Sequence, residues 1–433
     1  MIREHPRSRI TWNPFPSGVQ RIAVLALGIC AVLIFAARDH QADFLVFYRA
    51  AVQLAHGANP YPPLGSPLVY GGSAYVYPIW VAAVFVPFTL FGPLLAAKIW
   101  VVASYFMYAV SLKLLGVRSS QALLAVTLAT PVLISIQMGT LTPLLALGVA
   151  LSWRWRNSPL FAAVPAAVAG TSKLYLLGFL VFFAATRRFR ALAFGTTFSL
   201  ALLGAGFVLG PLGLQQYTHL ILALARHEAA SGWSSSGLAA ALVGPQNARL
   251  LAPLIALAGS VALVWRRIVS PDDRRAFAGA IGLALFATPI LWSSYLPLLL
   301  LVLLVFDTPP WLVAVSALAS WALVTPDRAG AALDAAGIAA LGLVVIAAIR
   351  SSRFSTTVIS AESTRLVVWA RAHRPRLALI MVLLGAEGAW AVAEPHLLPA
   401  IVAQDVVVGS IIWLGLGPSP TGEAERISTA SAA

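Results

Sequence analysis

Apolar residues fall in long unbroken blocks along this chain, separated by short polar or Gly/Pro-rich stretches, with little strand-like alternation. The block at 191–208 is continuous. Blocks of this kind predict helices, because the strands of a membrane barrel would alternate apolar and polar positions. The run at 22–37 has no convincing cleavage site before Asp39 and reads as a first transmembrane helix rather than a cleaved leader. The stretch at 39–77 is rich in Gly, Pro, Tyr and Ala and far too long for a simple turn. Within it, 43–54 has helical spacing and predicts a helix lying along a membrane surface. The apolar stretch at 77–91 is ambiguous between a span and a surface or re-entrant helix. Two further segments, 141–153 and 160–170, barely reach across hydrocarbon, which is tolerated where helices line a water-filled cavity.

Composition sharpens this into a fold class. Of 433 residues, 60% are hydrophobic and only 10% charged, with a mean hydropathy of +0.86. Soluble domains carry about 25% charged residues. The expected fold is therefore all-α, a polytopic transmembrane helix bundle of roughly 12 to 14 membrane helices with a long first outer loop. The expected organisation is a cytoplasmic segment at 1–19, a membrane domain at 20–416 and a disordered tail at 417–433. The lone Cys30 excludes a disulfide framework within the chain and a multi-cysteine metal site.

The net charge of +14 would suggest nucleic acid in a soluble protein. Here arginines gather in short segments between apolar blocks, the pattern of cytoplasmic loops, and no nucleic-acid partner is expected. Arg3, Arg7, Arg9 and Arg21 precede the first helix and place the N-terminus inside. If 77–91 does not span, Lys113 and Arg118 fall inside, followed by Arg154 and Arg156, by Arg187, Arg188 and Arg190, and by Arg266, Arg267, Arg274 and Arg275. The arginines between 350 and 376 follow them. If 77–91 does span, everything after it reverses, and Asp43 and Lys173 no longer share a face.

With the first topology, polar and ionisable residues collect on the outer side. Asp43 opens the outer loop as either a helix cap or a functional carboxylate. Lys173, at the apolar start of the helix expected after Thr171-Ser172, is costly unless it faces water or an anion. Gln137 ends one helix, and Trp292-Ser293-Ser294-Tyr295 closes another. Arg226, His227 and Glu228 lie in a later outer loop and read first as surface residues. Asn59-Pro60-Tyr61-Pro62-Pro63 is a rigid turn from which Tyr61 could reach a ligand. Arg49 reads as an interfacial anchor that could also meet a phosphate. The chain has no GxxxxGK[ST], no GxGxxG after a strand and no HExxH, which disfavours nucleotide-driven chemistry.

Asp43-Phe44-Leu45-Val46-Phe47-Tyr48-Arg49-Ala50, followed by Gly57-Ala58-Asn59-Pro60-Tyr61, resembles the integral-membrane glycosyltransferases of GT-C fold, specifically family 87. Tyr77-Pro78-Ile79, Gly139-Thr140-Leu141-Thr142 after Gln137, and Lys173-Leu174-Tyr175-Leu176 match further family segments in part and in order. Serines stand at 293 and 294 where family members often carry histidines, which puts a histidine-dependent role there in doubt.

The resemblance implies transfer of a hexose or pentose, mannose foremost, from a polyprenyl-phosphate sugar to a glycolipid or glycan hydroxyl. The expected location is the outer face of the bacterial cytoplasmic membrane, among its lipids. It implies a single inverting displacement with Asp43 as the catalytic base and no cofactor or metal. Lys173, Arg49 and His227 would meet the donor phosphate. Tyr48, Tyr61, Gln137, Tyr175, Trp292 and Tyr295 would line the substrate site. The rival expectation is a transporter or flippase of a lipid-linked sugar, which internal inverted repeats would favour; none is evident.

Overall fold

The computed structural model describes residues 41–70, 73–117, 126–228, 245–269, 271–288 and 292–306, without the side chains of 226–228, 245–253, 255 and 293. The expected first transmembrane helix, the N-terminal segment and the C-terminal tail lie outside the described residues. Those residues are helical, with no strand among them.

Helix α1, Ala42–Ala55, buries Phe44, Phe47, Ala50 and Ala51 on one stripe. It stops at Gly57, whose φ of 70° is the left-handed conformation glycine adopts cheaply. The amides of Gly57 and Ala58 turn back to the carbonyls of Leu54 and Gln53, a Schellman ending. The stretch at 77–91 folds as a short helix, α2, Ile79–Phe85, that runs into a 3-10 turn, Val86–Leu90. Its short length falls well below the roughly 30 Å of hydrocarbon.

Proline opens most of the helices that follow, where its missing N–H is no loss. They are α3, Pro93–Leu114; α4, Thr130–Gln137; α5, Thr142–Arg154; and α6, Pro159–Ser172. A 3-10 segment, Leu174–Leu180, and α7, Val181–Ala185, run back, and α8, Phe189–Leu209, runs out again. Then come α9, Leu214–Glu228; α10, Pro245–Val269; α11, Asp273–Ala287; and α12, Pro297–Val305.

Among the described residues, two helices are long and apolar enough to cross a membrane, Pro93–Leu114 and Phe189–Leu209. The second is only 11% buried over its most apolar window, with Leu200 66%, Val208 82% and Leu209 85% exposed. A helix this apolar with so little protein around it is solvated by lipid, not water.

Small residues let the helices approach closely. A Cβ on Gly148 of α5 would lie 2.8 Å from Ala169 Cβ and from the Pro165 carbonyl oxygen of α6. The apolar interior forms two clusters. One joins α3 to α7 with α10, α11 and α12; the other joins α1, α2, the first part of α3, Tyr61, Tyr75 and α9.

Helices α5 and α6 are antiparallel neighbours, so one end of the bundle gathers Thr142 and Ser172 and the other Arg154 and Pro159. Fourteen residues of α6 separate these ends by about 20 Å. At the arginine end, Asp273 binds Arg156 at 3.0 Å and Arg188 at 2.8 Å, and Arg187 donates to the Ile268 carbonyl at 2.7 Å. Asp272 caps α11 by accepting from the amides of Arg274 and Arg275. The arginine groups around 154, 188, 267 and 275, expected together on one side, do meet at one end.

Candidate active site

The other end is built around a sharp turn. Gly139, at φ 69°, follows α4 and packs directly under α1. The Met138 carbonyl accepts from the amides of Asp43 at 3.0 Å and Phe44 at 3.3 Å. These are first-turn amides that an α-helix cannot satisfy internally. Trp100 Nε1 donates to the Gly139 carbonyl at 3.1 Å and holds the turn against α3. Asp43 therefore does not cap α1. It sits inside the first turn, and Gln41 occupies the cap position with φ 45° and no side-chain cap bond. Of the two readings of Asp43, the capping one does not hold.

Lys173 does not open a helix. It stands in extended conformation, φ −135° and ψ 106°, in the break between α6 and the 3-10 segment. The break turns its side chain inward, and only 7% of the residue is exposed. Its ammonium lies 3.8 Å from the Tyr295 ring centroid and 5.7 Å from that of Tyr77, and its charge acts on Asp43. Tyr175 stacks on Tyr295 at 5.4 Å, and its buried hydroxyl has no hydrogen-bond partner among the described residues. Burial pushes the Asp43 carboxyl above the usual carboxylate range, and the Lys173 charge works against that rise.

The structure thus brings together Asp43, Lys173, Tyr175 and Tyr295 from three separate segments. It adds Tyr77, which the sequence offered only as part of a Tyr-Pro match. The 75–78 segment is held by tyrosine hydroxyls: Tyr61 donates to the Tyr77 carbonyl at 2.9 Å, Tyr217 to Val76 at 3.1 Å, and Tyr75 to Pro78 at 2.6 Å.

Other expected site residues lie elsewhere. Tyr61 is buried and tethers the 75–78 segment through the Tyr77 carbonyl. Tyr48 donates to the Phe91 carbonyl at 2.8 Å and anchors α1 to the turn after α2. Arg49 is exposed and, at 100° per residue, points away from the stripe of Phe44 and Phe47. Gln137 lies next to the Met138 carbonyl that seats α1. Trp292 is 43% exposed, one turn before Tyr295. His227 belongs to α9, and its side chain lies outside the described ones.

Fold and site together define a helical, membrane-associated protein with a partly buried carboxylate and a buried ammonium in one tyrosine-lined centre. The chain belongs to glycosyltransferase family 87, whose model matches residues 75–294, just over half of its length, and it is a glycosyltransferase. The matched region contains Tyr77, Gln137, Lys173 and Tyr175, while Asp43 lies before it and Tyr295 directly after it. The Met138 carbonyl is what joins α1, with Asp43, to the matched region. No curated protein and no solved structure matches the chain.

Proposed function

We propose that this glycosyltransferase moves a sugar from a polyprenyl-phosphate donor to a lipid or glycan hydroxyl at the outer face of the bacterial cytoplasmic membrane. The sugar is a hexose or pentose, mannose foremost. In this reading the chain crosses the membrane roughly 12 to 14 times, with the arginine end inside and the Asp43 end outside. The grouping of arginines at one end and the lipid-like exposure of Phe189–Leu209 support it. The single observation that carries the chemistry is the convergence of Asp43 and Lys173 in one tyrosine-lined centre of a family 87 chain.

The reaction is one inverting displacement. The acceptor oxygen bonds to the anomeric carbon as the bond from that carbon to the phosphate oxygen breaks. The phosphate departs with the electron pair, and the Asp43 carboxylate takes the acceptor proton. A carboxylate whose burial raises its proton affinity is a stronger base than a solvated one, and base catalysis of this kind contributes about 10²- to 10⁴-fold. Lys173 faces the charge that grows on the departing phosphate, where a fixed cation in a dry site acts most strongly.

The test is to incubate purified protein with a panel of polyprenyl-phosphate sugars and membrane glycolipids and to follow product by mass. Asp43→Asn should lower transfer by about 10²- to 10⁴-fold while the protein stays folded. Full activity in that variant overturns the assignment of the base.

A further inference from the structure

The arginine end holds a cavity of about 520 Å³ that no part of the transfer chemistry uses. Arg156, Asn157, Pro159, Arg187, Arg188 and Arg190 are among the residues that line it. Its volume lies within the range of small-ligand sites, about 300–1,000 Å³. Among the described residues, only Asp273 offsets these four arginines directly, through Arg156 and Arg188. Asn157 accepts from Arg188 at 3.0 Å and fixes that guanidinium further. Arg190 makes no ion pair among the described residues and is exposed. The site therefore carries a surplus of positive charge on guanidinium groups whose geometry is partly set before any ligand arrives.

Two features add to this. Helices α6 and α8 both begin at the cavity, at Pro159 and Phe189, and neither has a side-chain cap. Their positive ends and first-turn amides favour an anion in the same place. An apolar rim adjoins them: Phe189 of the lining is 60% exposed, and Trp155, Leu160 and Phe161, which neighbour the lining residues Arg156 and Pro159 along the chain, are 43%, 45% and 62% exposed. Arginines beside exposed aromatic and aliphatic side chains match a ligand that is anionic at its head and apolar beyond it. A soluble anion would leave the rim in water.

We propose that this cavity binds the phosphate headgroup of an anionic membrane lipid, with Phe189 and the neighbouring Trp155–Phe161 pair lying along its acyl chains. The site stands about 20 Å from the Asp43–Lys173 centre, one length of α6, so it is distinct from the donor site. It does not depend on which sugar the enzyme transfers.

The experiment uses full-length protein purified in neutral detergent and exchanged into zwitterionic nanodiscs. Titration with phosphatidylglycerol is read by native mass spectrometry and by thermal stability, with inorganic phosphate as the parallel arm. The wild-type protein should retain phosphatidylglycerol and melt higher with it, and millimolar inorganic phosphate should do neither. Each arginine near a membrane surface contributes a factor of about five, so R190Q should weaken lipid retention roughly five-fold and R187Q/R190Q roughly 30-fold. Both variants should keep wild-type transfer in zwitterionic nanodiscs, which shows that they fold. Lipid retention unchanged in both variants overturns the proposal. An equal response to inorganic phosphate also overturns it, because the ligand is then a soluble anion.

Discussion

Gly139 is the position where backbone geometry and the candidate site meet most directly. Replacing it with alanine has two separable costs. The first is conformational: at φ 69° an L-residue is left-handed, at roughly 1–2 kcal/mol. The second is steric. A Cβ there would lie 2.5 Å from Phe44 Cβ and 3.2 Å from the Phe44 amide nitrogen. The first atom is the root of its side chain and the second is backbone, so neither can swing aside, and α1 itself must move. Forced displacement in a packed interior costs about 1–3 kcal/mol. Gly57 supplies the control, because its φ of 70° is nearly the same and nothing lies within 4 Å of its added Cβ. Gly57→Ala should therefore show the conformational cost alone, and Gly139→Ala about 2–5 kcal/mol in all.

The functional consequence follows from the same bonds. The Met138 carbonyl seats the Asp43 amide at 3.0 Å, so moving α1 moves the carboxylate. A misplacement of about 1 Å costs on the order of 10²-fold in turnover. The assay is thermal unfolding in nanodiscs paired with product formation for wild type, G57A and G139A. Equal melting of the two variants, with G139A turnover at the wild-type level, refutes the role given to this turn.

Lys173→Met should lower kcat/KM by roughly 10- to 100-fold through loss of a charge-assisted contact to the donor phosphate. The same variant tests the coupling by pH. Asp43 acts as a base only when deprotonated, and burial raises its pKa above 3.8, so the acidic limb of the rate profile should lie above that value. Lys173 lowers the Asp43 pKa, so its removal should shift that limb to still higher pH; a limb that stays in place separates the two groups. Tyr175→Phe removes a buried hydroxyl with no partner among the described residues, so the melting temperature should hold or rise. Donor KM should rise if that hydroxyl meets the sugar, and an unchanged KM removes Tyr175 from the substrate contacts.

Much of the fold was legible along the chain because the bilayer imposes simple rules on it. Blocks of apolar residues announced helices, and the short 141–153 and 160–170 segments appear as Thr142–Arg154 and Pro159–Ser172. The 77–91 stretch folds as a short helix and turn, and Asp43 and Lys173 meet, as its reading as a surface helix required. The site was legible in its charges, because Asp43 and Lys173 are costly in apolar surroundings. Its tyrosines were not sorted as well. An aromatic at a helix end reads alike whether it tethers a loop, as Tyr61 does, or flanks an ammonium, as Tyr295 does.

What this sequence determined by itself is a helical membrane chain with clustered arginines and a family likeness written in short motifs, because hydrophobic blocks, charge runs and motifs are local. What only the tertiary structure decided is which residues share a centre. Asp43 reaches Lys173 because the left-handed turn at Gly139, 96 positions later, presents the Met138 carbonyl to the start of α1. Lys173 turns inward because a helix breaks beneath it. Tyr295 covers it from a segment more than a hundred residues further on. Such contacts depend on backbone breaks and close approaches between distant segments, and no spacing along the chain encodes them.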